Sequence, residues 1–166
     1  MFKINDYIVY GDNGICKVVD IGIPSISCHK NKVYYTLEPI YESGKIYTPV
    51  DNSHIIMRKL INRDDAEKLI ASINTIEPYW IDDYKEREMK FKEVIKSCDC
   101  SEEVRLIKSV LQRKEVCKST GKKISLNDDK FLKKAKEKIL SEFSIAFDMP
   151  ADMVDKYIKN SVKTIS

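Results

Sequence analysis

Tyr7-Ile8-Val9-Tyr10-Gly11-Asp12-Asn13-Gly14-Ile15-Cys16-Lys17-Val18-Val19-Asp20-Ile21 reads as two strands around a tight turn. β-branched and aromatic residues fill both runs, and two glycines sit where the backbone is expected to need positive φ. Working outward, Val33 to Glu38 is a third apolar run, closed by Pro39. Glu42-Ser43-Gly44 turns the chain into a strand over Lys45 to Thr48, which Pro49 ends. A last short strand falls around Ile55 to Arg58. Five short strands in sixty residues, with no long helix, predict a small SH3- or Tudor-like barrel over residues 1–60. Barrels of this size usually bind partners and seldom do chemistry.

From Arg63 onward the apolar period becomes helical. Asp64 and Asp65 suit a helix start, and Ala66, Leu69, Ile70 and Ile73 make one face. Asn74 to Pro78 breaks that helix. A second is expected to open near Tyr79, with Trp80 in its first turn and Ile81, Tyr84, Phe91 and Ile95 on one stripe. Ser101 is the expected cap of a third, with Val104, Ile107 and Leu111 facing inward. Ser125 and Asp128 resemble a capping box ahead of a fourth helix carrying Phe131, Leu132, Ala135, Ile139, Leu140, Phe143, Ala146 and Phe147. Pro150 starts a short fifth helix with Val154, Tyr157 and Ile158. The fold class is therefore α+β in two domains, a barrel over 1–60 and a bundle of four to five helices over 61–166.

Composition narrows the function. The 166 residues are 43% hydrophobic and 33% charged, as in a folded globular protein. No run reaches membrane-spanning length and no secretory segment opens the chain, so a cytoplasmic location is expected. The five cysteines (Cys16, Cys28, Cys98, Cys100 and Cys117) lack a disulfide rhythm, and neither His29 nor His54 completes a zinc spacing. Free, partly buried thiols and no metal or cofactor are the reading. There is no phosphate loop, nucleophile elbow or metalloprotease helix, and Cys28-His29 adjacency does not orient a nucleophile. Asp82-Asp83 and Glu102-Glu103 fall at helix starts, where the dipole accounts for them. An enzyme is not expected.

The net charge of +3 is segregated: +1 over residues 1–60, −5 over 61–104, +8 over 105–138 and −1 over 139–166. The +8 block reads either as a footprint for nucleic acid or as a lysine-rich solvated surface. Trp80, the single tryptophan, reads either as a displayed ring that stacks on an external partner or as packing at the domain junction.

The order of these parts resembles the CarD-like (CdnL) bacterial transcription regulators. Their N-terminal module is shared with the polymerase-interacting domain of transcription-repair coupling factor. The resemblance rests on Asp6-Tyr7-Ile8-Val9-Tyr10 with Gly14, on Tyr47-Thr48-Pro49-Val50-Asp51-Asn52, on Trp80 with Tyr84-Lys85, and on Ile124-Ser125-Leu126 leading to Lys134-Ala135-Lys136. It implies that the barrel docks on the RNA polymerase β subunit. The helical domain would then contact promoter DNA at the upstream edge of the bubble, where Trp80 wedges at the fork and stabilises the open complex. Lys85 and Arg113 carry over as phosphate contacts, and Lys122 and Lys123 join them from charge alone. Main-chain pairing along Lys45, Ile46, Tyr47 and Thr48 is the expected route to polymerase. In departure from relatives, Asp82 and Asp83 follow the tryptophan, Gly11 replaces a turn proline, and Tyr47 stands where some relatives have arginine. The alternatives are a protein-binding adaptor with a scaffold bundle and a stand-alone non-specific nucleic-acid binder. A monomer is expected, with exchange of N-terminal strands as the dimeric alternative.

Overall fold

The computed structural model describes residues 1–25 and 31–162; Cys28 and His29 lie outside the described residues. The chain divides into two compact units, Met1–Leu60 and Ile61–Ser166. The first holds five antiparallel strands: β1 (Tyr7–Tyr10), β2 (Ile15–Gly22), β3 (Tyr34–Pro39), β4 (Ile46–Pro49) and β5 (Met57–Lys59). Their order across the sheet is β4-β3-β2-β1-β5, so β4 and β5 are its edges. Val18 faces Leu37 while Asp20 faces Thr36, which leaves Val19 as an extra residue that bends β2. The sheet closes over Ile8, Tyr10, Cys16, Val18, Tyr35 and Leu37. Burial, with the Glu42 carboxylate nearby, pushes the Cys16 thiol up to about 11.

The turn between β1 and β2 is a short 3₁₀ segment, Gly11–Asn13. Gly11 sits at φ +47°, and a Cβ there would come within 2.7 Å of Ile55 Cγ2. Its amide donates to the Ile56 carbonyl at 2.9 Å. Proline fixes φ near −65° and has no amide hydrogen. The departure from the turn proline is thus a requirement of this turn's geometry.

The second unit comprises α1 (Arg63–Ser72), α2 (Tyr84–Ser97), α3 (Cys100–Ser119), α4 (Leu126–Phe147) and α5 (Ala151–Val162). Helices α3 and α4 run antiparallel, with Lys114 against Asp129 and Lys138 against Glu103. Two apolar clusters fill the unit. Ala66, Ile70, Val104, Ile139, Phe143 and Val154 form one, and Phe91, Val94, Leu106, Val110 and Leu132 form the other. Buried polar groups join distant segments. The Ile61 amide donates to Glu142 Oε1 at 2.7 Å, and the Cys100 thiol donates to Glu142 Oε2 at 3.3 Å. Lys138 pairs with Glu103 at 3.0 Å and donates to the Ile95 carbonyl.

Four sequence expectations are corrected here. Helix α2 begins at Tyr84, not near Tyr79, because the Asp83 carboxylate accepts from the Glu86 amide and fixes the start there. Trp80 therefore belongs to a non-helical segment. Helix α3 is capped by Asp99, which accepts from the Ser101 and Glu102 amides, and not by Ser101. Ser125 caps α4 by accepting from the Asp128 amide, but Asp128 does not complete a box. Its carboxylate instead takes both Nε and Nη2 of Arg87 at 3.1 Å. Leu111 is exposed at 40% and does not face inward.

Arg87 and Asp128 are both buried, so losing one member strands the other's charge. Asp128→Ala is expected to cost about 3–5 kcal/mol in chemical denaturation. The double change Arg87→Met with Asp128→Leu should recover much of that loss.

Candidate nucleic-acid interface around Trp80

Residues 76–83 have no regular secondary structure, yet side chains of three helices fix them. From α3, Lys108 Nζ donates to the Ile73 and Ile76 carbonyls, and Ser109 Oγ accepts from the Tyr79 amide at 2.7 Å. The Tyr79 hydroxyl donates to Glu102, and its ring lies between Lys90 Nζ and the Arg105 guanidinium, 5.2 and 5.3 Å from the ring centre. That ring packs against the Phe91 and Leu106 cluster.

Trp80 turns the other way and is 48% exposed. The Arg113 guanidinium lies over its ring, 4.8 Å from the centre, within cation–π range. Arg113 Nη2 also donates to the Ile81 carbonyl at 2.7 Å and lies 3.6 Å from Asp82 Oδ1. Arg87 Nη1 reaches the same Ile81 carbonyl at 2.9 Å and that of Asp82 at 3.1 Å. Two guanidiniums therefore grip the backbone immediately after the tryptophan, and Asp128 holds one of them in place. The result is a rigid mount for a half-exposed ring.

The other candidate contacts fall in different settings. Lys85 is exposed in the first turn of α2, on another element than Trp80. Lys122 and Lys123 are exposed in the link between α3 and α4. Arg113 is largely covered, with an 18% exposed side chain engaged by the ring, a carbonyl and a carboxylate. Asp83 caps α2 and Asp82 faces Arg113, so both acids after the tryptophan have local partners. Sequence reading missed Arg87, Asp128, Tyr79 and Ser109; the buried Arg–Asp pair joins positions 41 apart, and no periodicity carries that signal.

In the first unit, β4 is, among the described residues, an edge strand paired with β3. Tyr47 is 39% exposed. Lys45, just before the strand, is exposed and lies 3.6 Å from Glu38. Ile46 is half-buried against the sheet core. Thr48 is fully buried and its hydroxyl accepts from Asn52 Nδ2 at 2.9 Å, so at the edge it offers main chain and not side chain.

Among the described residues, no group of three His, Cys, Asp or Glu side chains is placed to hold a metal ion. Cys16, Cys98 and Cys100 are buried and Cys117 is half-buried. No helix among the described residues is long and apolar enough to cross a membrane.

No curated protein matches the chain. The family model of the CarD-like/TRCF RID domain matches residues 2–61, which is the five-stranded unit from end to end. The first domain of this chain is therefore a CarD-like/TRCF RID domain, a module that interacts with RNA polymerase, and the protein has a transcription-related role.

Proposed function

We propose that this protein is a non-enzymatic regulator, acting in the cytoplasm, that docks on the polymerase β subunit through β4. Its helical domain then presents Trp80 to the upstream fork of the promoter bubble and stabilises the open complex. The observation that carries this reading is the mount: a half-exposed indole fixed by the Arg87 and Arg113 contacts to the Ile81 carbonyl. A ring held in place before DNA arrives loses little freedom on stacking. Stacking against an exposed base contributes roughly 1–3 kcal/mol, and apolar wedges hold distorted duplex through the minor groove. Tethering by polymerase raises the local concentration of the ring, so weak intrinsic DNA affinity suffices. Lys85, Lys122 and Lys123 supply phosphate contacts that position without reading sequence. Arg113 acts mainly by holding the ring.

A stand-alone nucleic-acid binder relying on the +8 block fits less well. Lys108, Lys114, Lys138, Arg105 and Arg113 are engaged by carbonyls or carboxylates of their own domain. The electrostatic footprint left for phosphates is correspondingly smaller.

Trp80→Ala is expected to change thermal stability little, as for an exposed side chain, while abolishing the increase in open-complex lifetime with cognate polymerase. A large drop in melting temperature with lifetime intact would assign the ring to packing. Arg113→Met should shorten open-complex lifetime partially, by several-fold, because the ring keeps its backbone anchor through Arg87. Polymerase co-purification should fall at least tenfold for Tyr47→Glu, with the melting curve unchanged, since β-strand addition does not tolerate a buried carboxylate at the edge. Retention at wild-type level would remove β4 as the docking edge.

A further inference from the structure

A second half-exposed ring, Tyr84, is mounted in the same manner as Trp80. The Arg87 guanidinium lies 5.7 Å from its centre, as Arg113 lies over Trp80, and both guanidiniums meet at the Ile81 carbonyl. Tyr84 is the first residue of α2, and Asn127 Nδ2, from the first turn of α4, donates to its hydroxyl at 2.6 Å. Ring and hydroxyl are thus both fixed while part of the side chain stays in water. A tyrosine hydroxyl carries one proton besides its acceptor lone pairs. Here a lone pair is occupied and, among the described residues, the proton has no acceptor.

The same bond places the unpaired cations. Helices α2 and α4 run side by side in the same direction. Tyr84 meets Asn127 and Arg87 meets Asp128 near their starts, while Lys138 of α4 reaches the Ile95 carbonyl near the end of α2. Lys85 follows Tyr84, and Lys122 and Lys123 lie just before α4, so all three belong to this end of the domain. None of their ammonium groups has a partner among the described residues. Acids nearby are engaged: Asp82 faces Arg113, Asp83 caps α2, Asp128 holds Arg87 and Asp129 pairs with Lys114. Exposed Glu86 stands against the three lysines. A fixed hydroxyl donor beside unpaired cations suits an anionic oxygen, and tyrosine is among the side chains that donate to DNA phosphates.

We propose that Tyr84 is a phosphate contact of the helical domain, its hydroxyl donating to a backbone oxygen of promoter DNA beside Lys85, with Asn127 as the positioning residue. The inference rests on the proposed placement of this domain at the upstream edge of the bubble. Because ring and hydroxyl are held before DNA arrives, the contact forms with little loss of side-chain freedom.

The test measures open-complex lifetime with cognate polymerase on promoter fragments carrying one neutral methylphosphonate. That group is moved in turn along about one helical turn of DNA upstream of the bubble. Tyr84→Phe keeps the ring against Arg87 and removes only the hydroxyl. It is expected to shorten the lifetime about tenfold, with the melting temperature little changed. At one phosphate, the methylphosphonate should shorten the wild-type lifetime by a similar factor and do nothing further in Tyr84→Phe, the non-additivity of groups in contact. Asn127→Ala should give a smaller loss, about threefold, coupled to the same phosphate. A wild-type lifetime for Tyr84→Phe overturns the proposal. So does a shortened lifetime that adds fully to neutralisation at every phosphate, which would assign the hydroxyl to polymerase or to packing. Trp80→Ala separates this contact from the reading it rests on. If that change abolishes the lifetime increase while Tyr84→Phe does not alter it, the phosphate contact alone falls. If the wild-type protein gives no increase, or neither substitution alters it, the placement of the domain at DNA falls and this contact with it.

Discussion

The contact on which the helical domain depends is the buried pairing of Arg87 with Asp128. A guanidinium and a carboxylate taken out of water are costly unless each hydrogen-bonding position finds a partner. Here the carboxylate accepts two bonds from one arginine, and the remaining nitrogen is satisfied by the carbonyls of Ile81 and Asp82. The arginine belongs to α2 and the aspartate to α4, while the carbonyls belong to the segment between α1 and α2. One charge cluster therefore joins three pieces of chain. Arg87 is one of the few groups in the domain whose geometry is directional in several ways at once.

That anchoring separates two adjacent aromatic residues by role. Tyr79 goes inward, satisfied through its amide, its hydroxyl and the cations flanking its face. Trp80 goes outward, its backbone gripped from behind and its ring covered on one side by Arg113. A helix would not have achieved this, since successive residues on a helix lie only 100° apart and their side chains share a neighbourhood. Extended backbone places neighbours on opposite faces. The absence of helix at residues 76–83 is thus the physical means by which one ring is buried and the next displayed.

Much of this architecture was legible in the chain itself. The strand run over Tyr7–Tyr10, the glycine turn and the apolar spacing from Phe131 to Phe147 each agree with the structure because local pattern and tertiary burial coincide there. The start of α2 lies later than the expected Tyr79 because Asp83, whose carboxylate accepts from the Glu86 amide, is the cap that the chain uses. The capping box at Ser125 failed for a different reason: Asp128 has a stronger partner in Arg87, and long-range ion pairs leave no trace in local spacing. Leu111 keeps helical periodicity with Val104 and Ile107 but lies at the rim of a cavity, where period and burial part company. Trp80 was visible as a singular residue, whereas the apparatus that holds it was not.

The chain holds a single tryptophan, and its ring faces solvent on one side and a guanidinium on the other. Indole emission from the whole protein therefore originates at one address. The molecule carries a built-in optical reporter at its candidate DNA contact, and quenching by a stacked base would reveal engagement without any label being attached.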